Sequence, residues 1–168
     1  MGMQTDVLSS HLNQSGQMVV GRTRLKGLIS MGTATAGTIN FWDSTRAPTA
    51  VTYGRAGTLV TVTHVAHGLS TGDGVGLTFG ADGSNRAATN GNYTVTRLTA
   101  DTYTVTDINS GTVTAGTAAN QNTRWLTSFD TNTASDVTTL LLPGQGMLAQ
   151  NGIYGQMTNQ TGLTVFYG

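Results

Sequence analysis

Polar and apolar positions alternate over much of the chain, most clearly at residues 58–106, where TLVTVTHV, GVGLTF and NYTVTRLTADTYTVT follow one another. A period of two puts successive side chains on opposite faces, so each run predicts a half-buried strand. Leu59, Val60 and Val62 begin the first strand. HVAHGLSTGD then turns the chain, with Gly68, Gly72 and Gly74 free to take positive φ and Asp73 placed to accept backbone N–H bonds. Val75, Leu77 and Phe79 continue on one face, and GADGSNRAATNGN is a polar loop. Tyr93 and Val95 are expected to pair with Tyr103 and Val105 across a hairpin bent at LTAD. The segment reads as a small β-barrel or sandwich module.

The flanks carry weaker versions of the same pattern. Residues 18–30 alternate Arg22, Arg24 and Lys26 against Thr23, Leu25 and Gly27, a strand with one charged face. Residues 38–42 form a short strand ending at Asp43, Pro48 marks a boundary, and residues 51–54 lead into the module and pair with its exit. GTVTAGTAANQN leaves the module as a flexible small-residue segment. Beyond it come Trp125, Leu126 and Phe129, a polar TNTASD connection, a strand over 137–142, and the turns of LPGQGMLAQNG. A hairpin of 153–158 with 163–167 over NQTG ends the chain. Residues 1–17 have no sustained period and read as an arm ordered by a neighbour or left free.

The flanks together supply about six to eight strands, the number usual for a sandwich of this size. Neither flank suffices alone. The expected organisation is therefore an all-β, sandwich or jelly-roll-like outer domain (18–54 plus 120–168) split by the inserted β module (55–119).

Composition narrows the function. There is no cysteine, so disulfide frameworks and thiolate metal sites are out. All acidic residues are Asp, the one lysine is Lys26, and formal net charge is zero with 10% charged residues. No basic field exists to attract nucleic acid or anionic lipid, so neither partner is expected. No apolar run of about eighteen residues and no signal-peptide pattern is present. A surface low in charge and rich in Thr, Asn, Gln and Gly does little to keep copies apart, which favours an assembled homo-oligomeric subunit, a trimer among the options.

Candidate chemistry is sparse. His64, His67 and Asp73 form the one cluster with a metal-like look, but residues three apart on a strand diverge, and a turn histidine bonded to backbone is the plainer reading. There is no GxSxG, and Asp101 and Asp107 read as turn residues, so no catalytic or cofactor residue is assigned. The Gly-rich segments lack the lysine and following helix of a phosphate cradle. Trp42, Tyr53, Tyr93, Trp125 and Tyr154 could stack on sugar rings, although core or interface aromatics are the plainer alternative.

AHGLSTGD, the following apolar strand, NGNYTV and TYTV resemble a β module of phage structural proteins that is similar to the small β domain of ubiquitin-activating enzymes. GRTRLKGLIS and LLPGQGMLAQNGIYGQMTNQTGLTVFYG resemble small virion proteins of tailed phages, chiefly podoviruses of marine and cyanobacterial hosts. The resemblance implies a non-enzymatic virion component, foremost a capsid decoration or cement protein bound to the major capsid protein. The alternatives are a tail, adaptor or fibre component and a carbohydrate-binding module. Arg22, Arg24, Lys26, Phe166 and Tyr167 are the expected partner contacts.

Overall fold

A computed structural model describes residues 7–80, 86–131 and 135–168, and every regular element among them is a β-strand. The chain divides into two compact units, one made of Met1–Ala47 with Leu126–Gly168 and the other of Pro48–Trp125. The first unit opens with β1 (Leu8–Leu12), β2 (Gly16–Val20), β3 (Thr23–Gly32) and β4 (Gly37–Asp43). The central unit holds β5 (Thr49–Thr63), β6 (Gly74–Phe79), β7 (Gly91–Thr94), β8 (Thr96–Arg97) and β9 (Thr102–Gln121). β10 (Arg124–Thr131), β11 (Val137–Leu141), β12 (Met147–Ala149), β13 (Gly152–Thr158) and β14 (Gln160–Tyr167) return to the first.

The first unit is a sandwich. One sheet runs β1-β14-β3-β11, with β12 also on β3; the other runs β10-β4-β13-β2. Leu25, Leu28, Leu163 and Val165 from the first sheet meet Met18, Ile39, Phe41 and Ile153 from the second in one buried core. Each such aliphatic side chain contributes about 1.5–3 kcal/mol by leaving water.

Three features differ from the sequence reading here. Of the expected arm, residues 1–6 lie outside the described residues, while Leu8–Leu12 pairs along its whole length with β14. Its apolar Leu12 packs against the core, which is what ties a polar strand down. Residues 18–30 are not one strand, because Gly21 takes φ +82 and turns β2 into β3. The final hairpin does not form: β13 pairs with β4 and β2, whereas β14 pairs with β3 and β1. Asn159, at φ +55, carries the chain across from one sheet to the other. Inward-facing Ile153 and Leu163 thus meet across the core and not along a ladder.

The central unit is one open five-stranded sheet, β5-β9-β6-β7 with β8 on β9, and not a closed barrel. The expected junctions at 54/55 and 119/120 fall inside β5 and β9, which pair from Thr49↔Asn120 to Thr63↔Thr102. The exit segment is therefore strand, the small residues 111–119 serving as the ladder's far half. Register shifts at Tyr53/Arg55 and Gly57/Leu59 bend this ribbon. The bends fold Val51, Tyr53, Val60, Val62, Tyr103 and Val105 around Val75, Leu77 and Phe79 in a second core. Tyr93 pairs with Val75 and not with Tyr103; the chain bulges at Val95, bonded to Asp73, before Thr96 reaches Thr104. The LTAD bend forms as expected, Leu98 and Thr99 N–H donating to Thr102 O.

Candidate interaction surface

The expected contact residues lie in or beside the first sheet of the sandwich, where β3 is central. At Phe166/Tyr167 the register of β14 against β3 slips by one residue, so Lys26 is extra. Lys26 and Gly27 then both face away from the core, and Leu25 and Leu28 both enter it, at 0% and 1% exposure. Three cross-strand rows build the outward face: Ser9, Phe166, Gly27 and Leu141; His11, Thr164, Ile29 and Thr139; Gly162, Met31 and Val137. A Cβ at Gly27 would stand 3.1 Å from Leu141 Cδ2, so the glycine lets that leucine lie across β3. Leu141 is 74%, Val137 59% and Met31 50% exposed, while Phe166 and Ile29 are half-buried.

Arg24 and Lys26 sit half-exposed at one end of this face, and Arg22 is exposed in the adjoining β2–β3 turn. Asp136 is exposed just before β11, opposite Gly32, whose N–H its carbonyl accepts; one residue before Val137, it has the phase of the other face. The structure therefore brings Arg24, Lys26 and Phe166 onto one surface. Tyr167 does not join them, because it packs against the sandwich core. Sequence reading missed Leu141, Met31 and Val137, which come from separate runs and meet only through strand register.

The groups singled out for chemistry are held by the fold. His67 is 4% exposed; its Nδ1 accepts from Leu69 N–H at 3.0 Å, so Nε2, 3.2 Å from Thr99 O, carries the proton. With its free lone pair taken, that ring has nothing left to offer a metal. His64 Nδ1 accepts from the Asn120 amide at 2.7 Å, and no cluster of three metal-type ligands occurs among the described residues. Asp101 does cap a turn, at Ala66 N–H, 2.8 Å. Asp107 is not a turn residue. It lies within β9, 2% exposed, and pairs with Arg55 at 2.7 Å. Arg55 Nε donates to Gly57 O and Nη1 to Arg86 O and Ala87 O, while Nη2 donates to Asn109 O. Tyr93 joins through Asp107 Oδ1, and burial and the nearby carboxylate push its hydroxyl pKa up. In the sandwich, buried Asp43 accepts from Gln150 and Asn151 N–H, fixing the β12–β13 turn.

Of the aromatics that could stack on sugar rings, two are taken up by the cores. Trp42 and Tyr53 are fully buried, and the Trp42 indole donates to Gln156; Tyr93, Trp125 and Tyr154 are only partly exposed. A cleft of about 500 Å³ in the central unit contains His64, and one of about 320 Å³ in the sandwich contains Asp130, each the one titratable side chain in its lining.

Burial, then the neighbouring His67, lower the pKa of His64 below its ordinary 6.5. The unfolded chain therefore binds that proton more readily than the folded one. The resulting stability is full above about pH 6.5 and is lost as pH falls through the lower folded-state value. Between about pH 7.5 and 5 the melting temperature should fall more steeply for the natural chain than for His64→Gln, read by circular dichroism. Equal slopes would refute this role.

No family model matches the chain, so the likeness to ubiquitin-activating enzymes rests on its short motifs alone. No curated protein matches either. Among solved structures the chain is similar to one described as phage phi92 endosialidase, at 20% identity and a TM-score of 0.30, over 83% of this chain and 22% of that one. The chain thus spans about a fifth of that protein's length.

Proposed function

We propose that the chain is a non-enzymatic structural component of a tailed-phage virion, and within the virion a decoration or cement subunit on the capsid shell. The supporting observation is where the virion-like segments fall. GRTRLKGLIS contains most of β3, and the C-terminal segment contains β12, β13 and β14; β3 is paired to β12 and β14. The two segments, far apart in sequence, thus form adjoining ladders of one sheet, and that sheet carries the apolar face ending in Arg24 and Lys26. Arg24, Lys26 and Phe166 are assigned to partner contact, Arg22 to its rim. Tyr167 supports the sheet from its core side.

Quantitative mass spectrometry of purified virions tests this reading. Hundreds of copies per particle are expected for a shell subunit, whereas about three to twelve would place the protein in the tail, where symmetry at a single vertex limits copy number. Absence from virions would overturn the proposal altogether.

A further inference from the structure

β10 and β11 are end strands of the two sheets of the sandwich, and the cleft of about 320 Å³ lies between them, with β3 behind. We infer that this cleft binds a single neutral sugar ring. The site goes beyond the virion reading above and does not rest on it.

Two inward rows of the first sheet reach the cleft. Val165, Leu28 and Leu140 make one, apolar throughout; Leu163, Ser30 and Thr138 make the other. The second row passes from a leucine at 0% exposure to a serine at 1% and then to an exposed threonine. Ser30 stands in the phase of the core, where an aliphatic side chain would pack. Its hydroxyl lines the cleft and has no hydrogen-bond partner. A buried hydroxyl left unpaired costs stability, so Ser30 calls for a ligand group that can both donate to it and accept from it.

Asp130 is the one charged group of the lining, and it is exposed at the mouth. Thr38 Oγ1 donates to its Oδ1 at 3.2 Å, which orients the carboxylate and leaves it capacity for further donors. Leu28, Leu140 and the half-buried ring of Phe129 supply an apolar wall. A ligand that satisfies the whole lining therefore has hydroxyls at both ends of an apolar face. A pyranose has this form: its C–H face lies on the wall while its hydroxyls reach Ser30 within and Asp130 outside. An amine with an aliphatic tail would satisfy Asp130 but leave Ser30 unpaired. An acidic sugar would set carboxylate against carboxylate. Ligand pockets span about 300–1,000 Å³, so a cleft at the low end of that range suits one ring.

A monosaccharide has about a dozen non-hydrogen atoms, for which a Kd of about 1–10 mM is expected. The isotope-labelled full chain is titrated to about 50 mM with the methyl glycosides of glucose, galactose and mannose, and amide chemical shifts are followed. At least one glycoside should give saturable shifts at residues 28–30, 128–131 and 138–140. N-acetylneuraminic acid should give none there. Ser30→Ala should weaken binding by about threefold or more without lowering the melting temperature, because the hydroxyl it removes has no partner in the fold. A merely structural serine would instead cost stability and leave the affinity alone. Asp130→Ala, at an exposed position, should weaken binding by about fivefold or more. No saturable shift with any of the three glycosides, shifts confined to other residues, or an affinity indifferent to either variant overturns the proposal. Equal binding of N-acetylneuraminic acid overturns the assignment to a neutral ligand. Sugar binding is read in purified protein and virion copy number in particles, so failure of either reading is seen separately.

Discussion

Asp107→Ala should destabilise the central unit by about 3–5 kcal/mol, because it leaves the Arg55 guanidinium buried without a counter-charge. The site is dry: the two side chains are each 1% exposed and 2.7 Å apart. Water cannot take the place of the carboxylate, and salt cannot screen a pair so enclosed as it screens a surface pair. The arginine does more than neutralise Asp107. Its N–H groups reach the carbonyls of Gly57, Arg86, Ala87 and Asn109. It thereby fastens residues 86–87 to the bend where β5 and β9 slip register. A double replacement, Arg55→Met with Asp107→Leu, separates the two contributions. Apolar substitution of a whole buried pair is often neutral. Here it takes the guanidinium donors away from four carbonyls, and any of these that water cannot reach costs about 1–3 kcal/mol. The double variant should therefore stay well below the natural chain in the urea midpoint of the central-unit transition. Full recovery would show that the carbonyl clasp contributes nothing.

Gly146→Ala should cost the sandwich roughly twice as much as Gly144→Ala, although both glycines lie in the same LPGQG turn with positive φ, +72 and +62. Around Gly144 no atom lies within 4 Å of an added Cβ, so alanine there meets only the left-handed penalty of about 1–2 kcal/mol. At Gly146 the Cβ would stand 2.2 Å from Leu25 O, a backbone atom of the central strand. Relief requires β12 to move off β3, which disturbs Met147↔Leu25 beside the core and adds about 1–3 kcal/mol. Thermal melts of the two variants supply the comparison. Equal losses would mean that the turn yields freely and that Leu25 does not fix it.

The alternation of the central stretch was sufficient to place β5, β6 and β9 and their buried residues, because burial on one face leaves a period of two that a reader can see. The same periodicity contained the buried ion pair. Val51, Tyr53 and Arg55 lie in one phase, as do Tyr103, Val105 and Asp107, and the first two of each set are core residues. Continuing the phase would have sent both charges inward; the rule that charges stay outside concealed it. The β13–β14 crossing had no comparable signal. A strand alternates in the same way whether it pairs with its neighbour or crosses to the opposite sheet, and NQTG suits either turn. The outward face was legible only in part. Arg24 and Lys26 stood out as an alternating charged edge, but Leu141, Met31 and Val137 become neighbours only through register, and the bulge at Lys26 shifts the phase that alternation alone assigns.

That same long-range pairing imposes an order on folding. β4 and β10 are sheet neighbours although residues 44–123 separate them. Thr49 pairs with Asn120, so a folded central unit shortens the loop between β4 and β10 from about eighty residues to about ten, lowering its closure cost by about 2 kcal/mol. The insert thus acts as a clip that brings its host's halves within reach. β1, in contrast, has no strand to join until residues 160–167 exist. At ribosomal speeds of about 5–20 residues per second, it waits about seven to thirty seconds after its own synthesis. Serine, histidine and asparagine in SSHLNQSG keep that waiting edge poorly suited to pairing with other nascent chains.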